Sequence, residues 1–211
     1  PAEDDGAPFP LAPMQHAMWV GRDDDVALGG VAGHLYVEFQ SGLGIDPDRL
    51  AAAAQALAAR HPMLRVQFSP DGTQRICDGA ELPVAVQDLR ELDAAEAARR
   101  LEATRAAKSH QQLDGAVFEL TVSLLPDGTA RLHVDLDMQA ADAMSYRTLM
   151  ADLAAAYRGE VLPPLGYTYR QYRQVVADRE PDDNNRQWWA ERIPDLPDPP
   201  KLPPPAGTPE N

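Results

Sequence analysis

The sequence has a single cysteine, Cys77, among its 211 residues. One thiol cannot form a disulfide within the chain, and it cannot supply a zinc site that is built from several cysteines. The chain also lacks any apolar run near the roughly 20 residues that a membrane-spanning helix needs. These absences argue against a disulfide scaffold, a cysteine-based metal centre and a membrane protein, and they make the cytoplasm the expected location.

Positive charge is scarce too. Lys and Arg total 19 against 33 Asp and Glu, which gives a formal net charge of −14 at pH 7. Nucleic acids and anionic membranes are bound largely through basic side chains, so we predict neither as a partner. Aromatic residues make up only 6% of the chain, but hydrophobic residues reach 44%. That content is enough for the core of one domain, or of one lobe of a larger domain.

Hydrophobic spacing indicates that strands and helices are interleaved. Alternation along residues 33–39 is typical of a half-buried strand, and an N-cap residue followed by proline at residues 46–47 predicts a helix that runs to residue 60. Turn sequences at residues 69–72 and 126–128 predict two hairpins. The pattern predicts an α/β fold with a mixed sheet covered by helices. Further helices are predicted over residues 14–20, 94–111, 143–158, 167–178 and 184–192.

The sequence DMQAADAMS, residues 137–145, is the feature most indicative of function. It has the form DxxxxDxxS and lies between an alternating strand and a predicted helix, so Asp137, Asp142 and Ser145 are gathered at one strand-to-helix turn. Met138 carries a thioether that accepts no proton at neutral pH, so it offers no acid–base help.

The DxxxxDxxS spacing resembles the signature of the heterocyclization domains of nonribosomal peptide synthetases. These domains are relatives of the condensation domains, whose corresponding motif is HHxxxDG. In that comparison Asp137 takes the place of the first His and Asp142 that of the Asp. Met138 falls where condensation domains keep their active-site His.

Other stretches resemble further motifs of the same family and occur in the family's order. Residues 9–22, FPLAPMQHAMWVGR, resemble the first heterocyclization motif, except that Ala12 and Met18 stand where a hydroxyl residue and a Tyr are usual. RHPML at residues 60–64 resembles the next motif. LPDPPKLP at residues 196–203 resembles a later motif that lies between the two lobes of such domains.

The resemblance implies one lobe of a chloramphenicol-acetyltransferase-like fold, of which a complete domain has two, with an active-site tunnel between them. It implies a linker over residues 1–8, the N-terminal lobe over residues 9–193 and a proline-rich inter-lobe linker over residues 194–211. The chain is then half of a catalytic domain. We expect it to fold alone but not to catalyse without the C-terminal lobe.

The resemblance also implies a reaction and its partners. The complete domain joins an acyl group on an upstream aryl or acyl carrier protein to Ser, Thr or Cys on a downstream peptidyl carrier protein. It then closes the side chain onto the new amide with loss of water, which leaves an oxazoline or thiazoline. Both substrates ride on phosphopantetheine arms of the carriers, so the chain itself is expected to bind no cofactor. The likeness suggests siderophore biosynthesis, with a hydroxybenzoyl donor and Ser or Thr as acceptor.

Each residue of the motif has a structural interpretation beside the functional one. Asp142 precedes a helix, so it is either an N-cap or ion-pair partner, or a direct contact of the substrate. Asp137 is either a solvated carboxylate at a strand end or, as the resemblance favours, an ion-pair partner or polar wall in the tunnel. Ser145 either completes a capping network or touches the substrate. Arg65 is the predicted ion-pair partner of the motif.

Other polar and aromatic residues receive structural interpretations. A metal site built from Asp135, Asp137 and Asp142 is not expected, because their spacing fits no calcium loop and no His lies at ligand spacing. His133 is interpreted as an ordinary residue of a polar strand face, and the remaining histidines as isolated. The aromatic clusters are assigned to core packing or lobe–lobe contact, with carrier docking as the rarer role. Their members are Tyr167, Tyr169, Tyr172, Trp188 and Trp189.

Two other functions stay open. A condensation or acyltransferase enzyme of the same fold would make the amide and stop, although Met138 in the place of the His argues against it. A non-catalytic module that docks carrier proteins would be consistent with the departures at Ala12 and Met18. A product that keeps its water would favour the first alternative. Carrier binding without turnover by the completed domain would favour the second.

Overall fold

A computed structural model describes residues 6–25, 29–30, 32–79, 81–113, 115–178, 183–198 and 200, with Asp183 described by its backbone alone. Residues 1–5, 199 and 201–211, which fall in the two expected linkers and in the last motif, lie outside the described residues. The chain divides into two compact units, Pro1–Arg173 and Gln174–Asn211.

The first unit contains a four-stranded mixed sheet. Its strands are β2 (His34–Ser41), β5 (Val84–Asp88), β6 (Phe118–Leu124) and β7 (Ala130–Asp137), in the order β2-β7-β6-β5. β2 and β6 run antiparallel to β7, and the second predicted hairpin joins β6 to β7. β5 runs parallel to β6, which requires a crossover. Helix α3 (Ala94–Lys108) lies in that crossover, so the predicted mixed sheet is confirmed.

A smaller antiparallel sheet lies in the same unit. It consists of β1 (Phe9–Pro10), β3 (Val66–Phe68) and β4 (Thr73–Ile76), in the order β1-β4-β3. The hairpin predicted at residues 69–72 joins β3 to β4. Gly72 in this turn has a φ of 76°, a left-handed conformation that glycine adopts without steric cost.

The remaining helices agree with the sequence-based predictions to within three residues at either end. α3 shows the largest difference, since it ends at Lys108 instead of residue 111. Within the described residues, no helix has the length and apolar character needed to cross a bilayer. The other α-helices are α1 (Pro13–Gly21), α2 (Pro47–Arg60), α4 (Ala143–Tyr157), α5 (Tyr169–Ala177) and α6 (Asp183–Arg192). Short 3-10 helices span Pro62–Arg65 and Ile193–Asp195.

One face of the large sheet forms the main core with α2 and α4. Leu50, Ala54 and Leu57 recur at helical spacing on α2 and share a core cluster with Val134 and Leu136 of β7. Full burial of a leucine or valine side chain contributes about 1.5–3 kcal/mol each. β7 is therefore anchored at the point where it leads into residues 137–145. α4 is anchored in the same cluster through Leu149 and Leu153.

The opposite face of β7 is polar but buried. His133 and Asp135 are 0% exposed and Asp137 is 2% exposed. Of the two interpretations of Asp137, the solvated carboxylate at a strand end is therefore wrong. The side chain of Lys108, at the end of α3, reaches this face and donates to Asp135 at 2.7 Å. The alternation within β7 could not reveal this cover, because the covering helix is distant in sequence.

Candidate functional site

The strand-to-helix turn of residues 137–145 is closed by Asp137 itself. Its main-chain carbonyl accepts hydrogen bonds from the N–H groups of Ala140 at 3.0 Å and Ala141 at 3.3 Å. Its side-chain Oδ1 accepts another from the N–H of Gln139 at 2.8 Å. A short acceptor side chain at this position thus satisfies main-chain donors that leave the sheet.

Arg22 is the charge partner of Asp137. Its Nη2 lies 2.5 Å from Asp137 Oδ2, and the two side chains are 26% and 3% exposed. Of the interpretations offered for Asp137, the ion pair is the one observed. Arg22 is the last residue of the stretch that resembles the first family motif, so the pair joins that stretch to the signature motif.

Arg65 is not the partner of the motif, and that prediction is wrong. Its Nε donates to the carbonyl of Ala58 at 3.1 Å, and its Nη1 donates to the carbonyl of Cys77 at 2.8 Å. Its Nη1 also lies 3.7 Å from the exposed carboxylate of Asp78. Arg65 therefore links α2 to the segment that follows β4.

Asp142 is the N-cap of α4. Its Oδ1 accepts hydrogen bonds from the N–H of Ser145 and from Ser145 Oγ, both at 2.8 Å. The N–H of Ser145, and then its hydroxyl, hold the pKa of the Asp142 carboxyl below its usual range, so the group is a carboxylate at neutral pH. The capping network is therefore observed. Contact of either residue with a substrate stays a prediction.

A cavity of about 650 Å³ opens beside the turn. Asp142 and Ser145 line it together with residues of α1, the Pro62–Arg65 helix and residues 165–169, whereas Asp137 is not among the lining residues. The volume is in the range of small-molecule pockets. The structure thus brings two of the three candidate residues to the cavity. Asp137, the third, closes the turn through its hydrogen bonds and does not line the cavity.

A buried cluster of amides lies between α1 and the turn. The side chains of Gln15 and Gln74 exchange hydrogen bonds at 3.0 and 2.9 Å, and Gln15 Nε2 also donates to the carbonyl of Gln139 at 2.9 Å. The hydroxyl of Tyr169 donates to Gln15 Oε1 at 3.0 Å. Sequence reasoning missed this cluster. Its only signal was that Gln15 matches the first family motif.

Several histidines that were expected to be isolated have partners. His133 Nδ1 lies 2.7 Å from the hydroxyl of Tyr36, and its Nε2 lies 3.1 Å from Ser123 Oγ. His34 Nε2 lies 3.1 Å from Asp135 Oδ1. Burial lowers the pKa of His133, so folding favours its neutral form. His133 was predicted to be an ordinary residue of a polar strand face, and it is instead part of a buried cross-strand network.

Residues 60–64, the second stretch with family likeness, hold α4 in place. Arg60 Nε and His61 Nε2 each lie 2.8 Å from Asp152 Oδ2 on α4. Arg60 also donates to the carbonyl of Pro163. These bonds tie the end of α2 to α4 and to the segment that follows it. They fix the helix that begins at the candidate site.

The aromatic residues differ in burial. In the first unit, Tyr167 and Tyr172 are exposed, whereas Tyr169 packs on the core of the small sheet. In the second unit, Trp188 and Trp189 are exposed and meet edge to face with ring centroids 4.9 Å apart. The core-packing interpretation is therefore wrong for all of them except Tyr169.

The site offers negative charge and hydrogen bonding. Asp142 and Ser145 supply a carboxylate and a hydroxyl, and His61 lines the cavity with its Nε2 bonded to Asp152. In the part of the chain that the structure describes, no three His, Cys, Asp or Glu side chains gather as a possible metal site. Asp135 instead pairs with Lys108.

The sequence matches a known protein family and curated members of it. The model of the condensation domain family matches residues 7–211. Phenyloxazoline synthase MbtB of Mycolicibacterium paratuberculosis is 69% identical over 208 residues, which cover 95% of this chain and 18% of that protein. Pyochelin synthetase PchE of Pseudomonas aeruginosa is 39% identical over 209 residues, which cover 95% of this chain and 14% of that protein. The chain thus spans less than a fifth of the length of these curated relatives.

A solved structure has the same fold. The EpoB cyclization-docking bidomain of a nonribosomal peptide synthetase from Sorangium cellulosum matches with a TM-score of 0.87 and 28% sequence identity. The match covers 97% of this chain and 43% of that chain. The fold seen here is therefore a portion of a larger structure in that neighbour.

Proposed function

Because this chain belongs to the condensation domain family, we propose that it is the N-terminal lobe of a heterocyclization domain in a nonribosomal peptide synthetase. The lobe comprises residues 9–193, and residues 194–211 link it to a C-terminal lobe. The proposal is supported by the order of the motifs, by the 69% identity to a protein named phenyloxazoline synthase and by the likeness to a cyclization domain.

The proposed reaction has two stages. The amine of a Ser, Thr or Cys held on a downstream carrier protein first attacks the thioester of an acyl group held on an upstream carrier, which forms an amide and releases the upstream thiol. The side-chain oxygen or sulfur then adds to the amide carbonyl. That addition closes the ring and passes the hydroxyl or thiol proton to the carbonyl oxygen. This oxygen then leaves as water together with the amide proton, and a carbon–nitrogen double bond forms in the ring. The relatives' names favour an aromatic acyl group and a siderophore product.

The single observation that carries the proposal is the make-up of the turn at the cavity. A carboxylate and a hydroxyl from Asp142 and Ser145 line the cavity, and Met138 lines it where a plain condensation domain keeps a His. The turn lacks the imidazole of that motif and keeps polar groups that are suited to hold an amide and a hydroxyl.

The three motif residues have different proposed roles. Asp142 is an exposed carboxylate at the cavity wall, so it accepts a hydrogen bond from the hydroxyl or N–H of the acceptor and stabilises the ring-closing geometry. Ser145 orients that carboxylate through its own hydroxyl. Asp137 is a positioning residue, because it holds the turn and Arg22 and does not line the cavity.

The proposed partners follow from the reaction. An upstream aryl carrier protein and a downstream peptidyl carrier protein present their substrates on phosphopantetheine arms, and the C-terminal lobe completes the tunnel. The chain is expected to fold alone, because its core cluster is formed within the first unit. It is expected to be inactive alone, because the second wall of the tunnel lies in the other lobe.

Mass spectrometry of the downstream carrier tests the proposal. The synthetase that contains this chain is supplied with a hydroxybenzoyl donor and Ser. The mass of the acyl chain on the downstream carrier is then measured. We expect a product lighter than the plain amide by one water, and its loss in Asp142→Ala. Asp127→Ala, in the distant β6–β7 turn, is the matched control.

Other products of that assay would contradict the proposal. An amide that keeps its water in the parent would mean plain condensation. Carrier binding without any product would mean a docking module. Heterocycle formation by Asp142→Ala at the parent's rate would remove Asp142 from the reaction.

A further inference from the structure

Methionine is concentrated at the cavity beside the signature turn. The chain has 6 methionines, and all of them except Met150 line this cavity. Met14 and Met144 are exposed at its rim, whereas the others are partly buried. The lining methionines, which we term the methionine wall, are Met14, Met18, Met63, Met138 and Met144.

Met18 and Met138 converge on one point in the structure. A Cβ atom placed on Gly33 would lie 3.4 Å from Met138 Cβ, 3.7 Å from Met18 Sδ and 3.8 Å from Met18 Cε. The N–H of Met138 also donates to the carbonyl of Gly33 at 2.9 Å. Both side chains therefore pack against the same backbone position, one from α1 and one from the signature turn. The pair is held in place by the fold and is not two unrelated surface residues.

The chemistry of this wall favours one class of ligand. Thioether sulfur is polarisable and makes favourable contacts with aromatic rings, and methionine side chains adapt to a flat shape. Among the described residues that line the cavity, none is Lys or Arg, and Asp142 adds a negative charge. An acyl group that carries its own carboxylate would therefore find no cation here and would be repelled.

We propose that Met18 and Met138 form the surface that holds the acyl group of the upstream substrate, and that they select a neutral aromatic ring. This inference rests on the proposed function, since it assigns the donor group to one wall of the same cavity. Met18 is a specificity-determining residue in this proposal, and it stands where the resembling motif usually has a Tyr. Met138 acts with it from within the signature turn.

Methyl NMR tests the proposal without turnover. The synthetase that contains this chain is labelled with carbon-13 at its methionine methyl groups, and Met18→Leu, Met138→Leu and Met150→Leu identify the corresponding signals. The probes are S-benzoyl-pantetheine and S-(4-carboxybenzoyl)-pantetheine, which differ only in the added carboxylate. We expect the benzoyl probe to shift the Met18 and Met138 signals, because ring currents act over short distances. The carboxybenzoyl probe at the same concentration should leave them in place.

The variants measure how much the wall contributes. Met18→Leu and Met138→Leu should each weaken binding of S-benzoyl-pantetheine by about two- to tenfold, the range expected for losing a sulfur–aromatic contact. Met150→Leu changes a methionine of α4 that packs on the core cluster outside the cavity, so it should bind as the parent does.

Three results would overturn the proposal. They are no shift of the Met18 and Met138 signals at the solubility limit of the benzoyl probe, an equal shift with the carboxybenzoyl probe, and an equal loss of binding in Met150→Leu. The formation of a heterocycle is measured separately on the downstream carrier. Failure of the methionine wall is therefore distinguishable from failure of the proposed reaction.

Discussion

Arg22 and Asp137 form an ion pair across 115 positions of sequence and join the end of α1 to the end of β7. Neither residue lines the cavity to which Asp142 and Ser145 belong. The carboxylate of Asp137 also closes the turn through the N–H of Gln139. The first aspartate of the signature motif is therefore a buried residue that holds the turn, whereas the second lines the cavity.

Arg22→Gln should destabilise the fold strongly. The variant leaves the buried carboxylate of Asp137 without its charge partner, and breaking a buried ion pair from one side costs on the order of 3 kcal/mol. Urea unfolding followed by circular dichroism measures the loss. Arg99→Gln is the control and should have little effect, because its pair with Glu96 lies at the surface. A parent-like midpoint for Arg22→Gln would show that the pair is not needed for stability.

Two substitutions at Asp142 should distinguish its contribution as the N-cap of α4 from the contribution of its negative charge to the reaction. Asp142→Ala removes the acceptor for Ser145 and should lower the free energy of unfolding by about 1 kcal/mol. Asp142→Asn keeps a good N-cap and should unfold close to the parent. If the charge acts on the substrate, Asp142→Asn should still lose most of its ring closure, measured as dehydrated product on the downstream carrier. Parent-like ring closure by Asp142→Asn would reduce Asp142 to a cap.

Stability should fall as the pH drops below about 6.5, the ordinary pKa of His133. Burial lowers the pKa of this residue in the fold, so the unfolded chain binds the proton at a higher pH than the folded chain does. Protonation therefore stabilises the unfolded state relative to the fold. The stabilisation is present above pH 6.5 and is lost as the pH falls through the folded pKa. Hydrogen bonding by Arg105 holds the pKa of Glu38 at about 2, against an ordinary 4.5, so its contribution is lost only at lower pH.

The free energy of unfolding between pH 5 and pH 7 checks this prediction. His133→Gln should flatten the slope in this window, since the variant cannot take up the proton. His110→Gln, at an exposed position after α3, is the matched control and should keep the parent's slope. An unchanged slope in His133→Gln would assign the acid sensitivity to another group.

Two substitutions in the buried amide cluster should destabilise the fold by different amounts. Tyr169→Phe removes one donor to Gln15 and should cost about 1 kcal/mol. Gln15→Leu also removes the partner of the buried Gln74 side chain, so it should cost more, in the range of about 1–3 kcal/mol. Thermal or urea unfolding measures both. Parent-like unfolding of Gln15→Leu would mean that the cluster does not stabilise the link between α1 and the signature turn.

Local features were predictable because their causes are local. An N-cap with a following proline marks the start of α2, and glycine in a turn marks the hairpin at residues 69–72. The strand-to-helix turn at residues 137–145 and the cap formed by Asp142 and Ser145 follow from neighbouring residues as well. The mixed sheet could be predicted for the same reason, since its elements alternate along the chain.

The charge partners could not be predicted, because they depend on distances between segments far apart in sequence. The sequence pointed to Arg65 as the partner of the motif, and only the tertiary structure brings Arg22, at the end of α1, to Asp137 at the end of β7. The same holds for His133, which bonds to Tyr36 of β2 and Ser123 of β6 because the three strands are neighbours in the sheet.

The sequence by itself determined the family motifs, the element types and the gathering of Asp137, Asp142 and Ser145 at one turn. Each of these depends only on residues that are close to one another in the chain. Tertiary structure alone decided which of them reaches the cavity, which cation neutralises Asp137 and which methionines meet at Gly33. The physical reason is that burial and pairing are properties of the packed chain. A side chain acquires them only when distant segments exclude water around it.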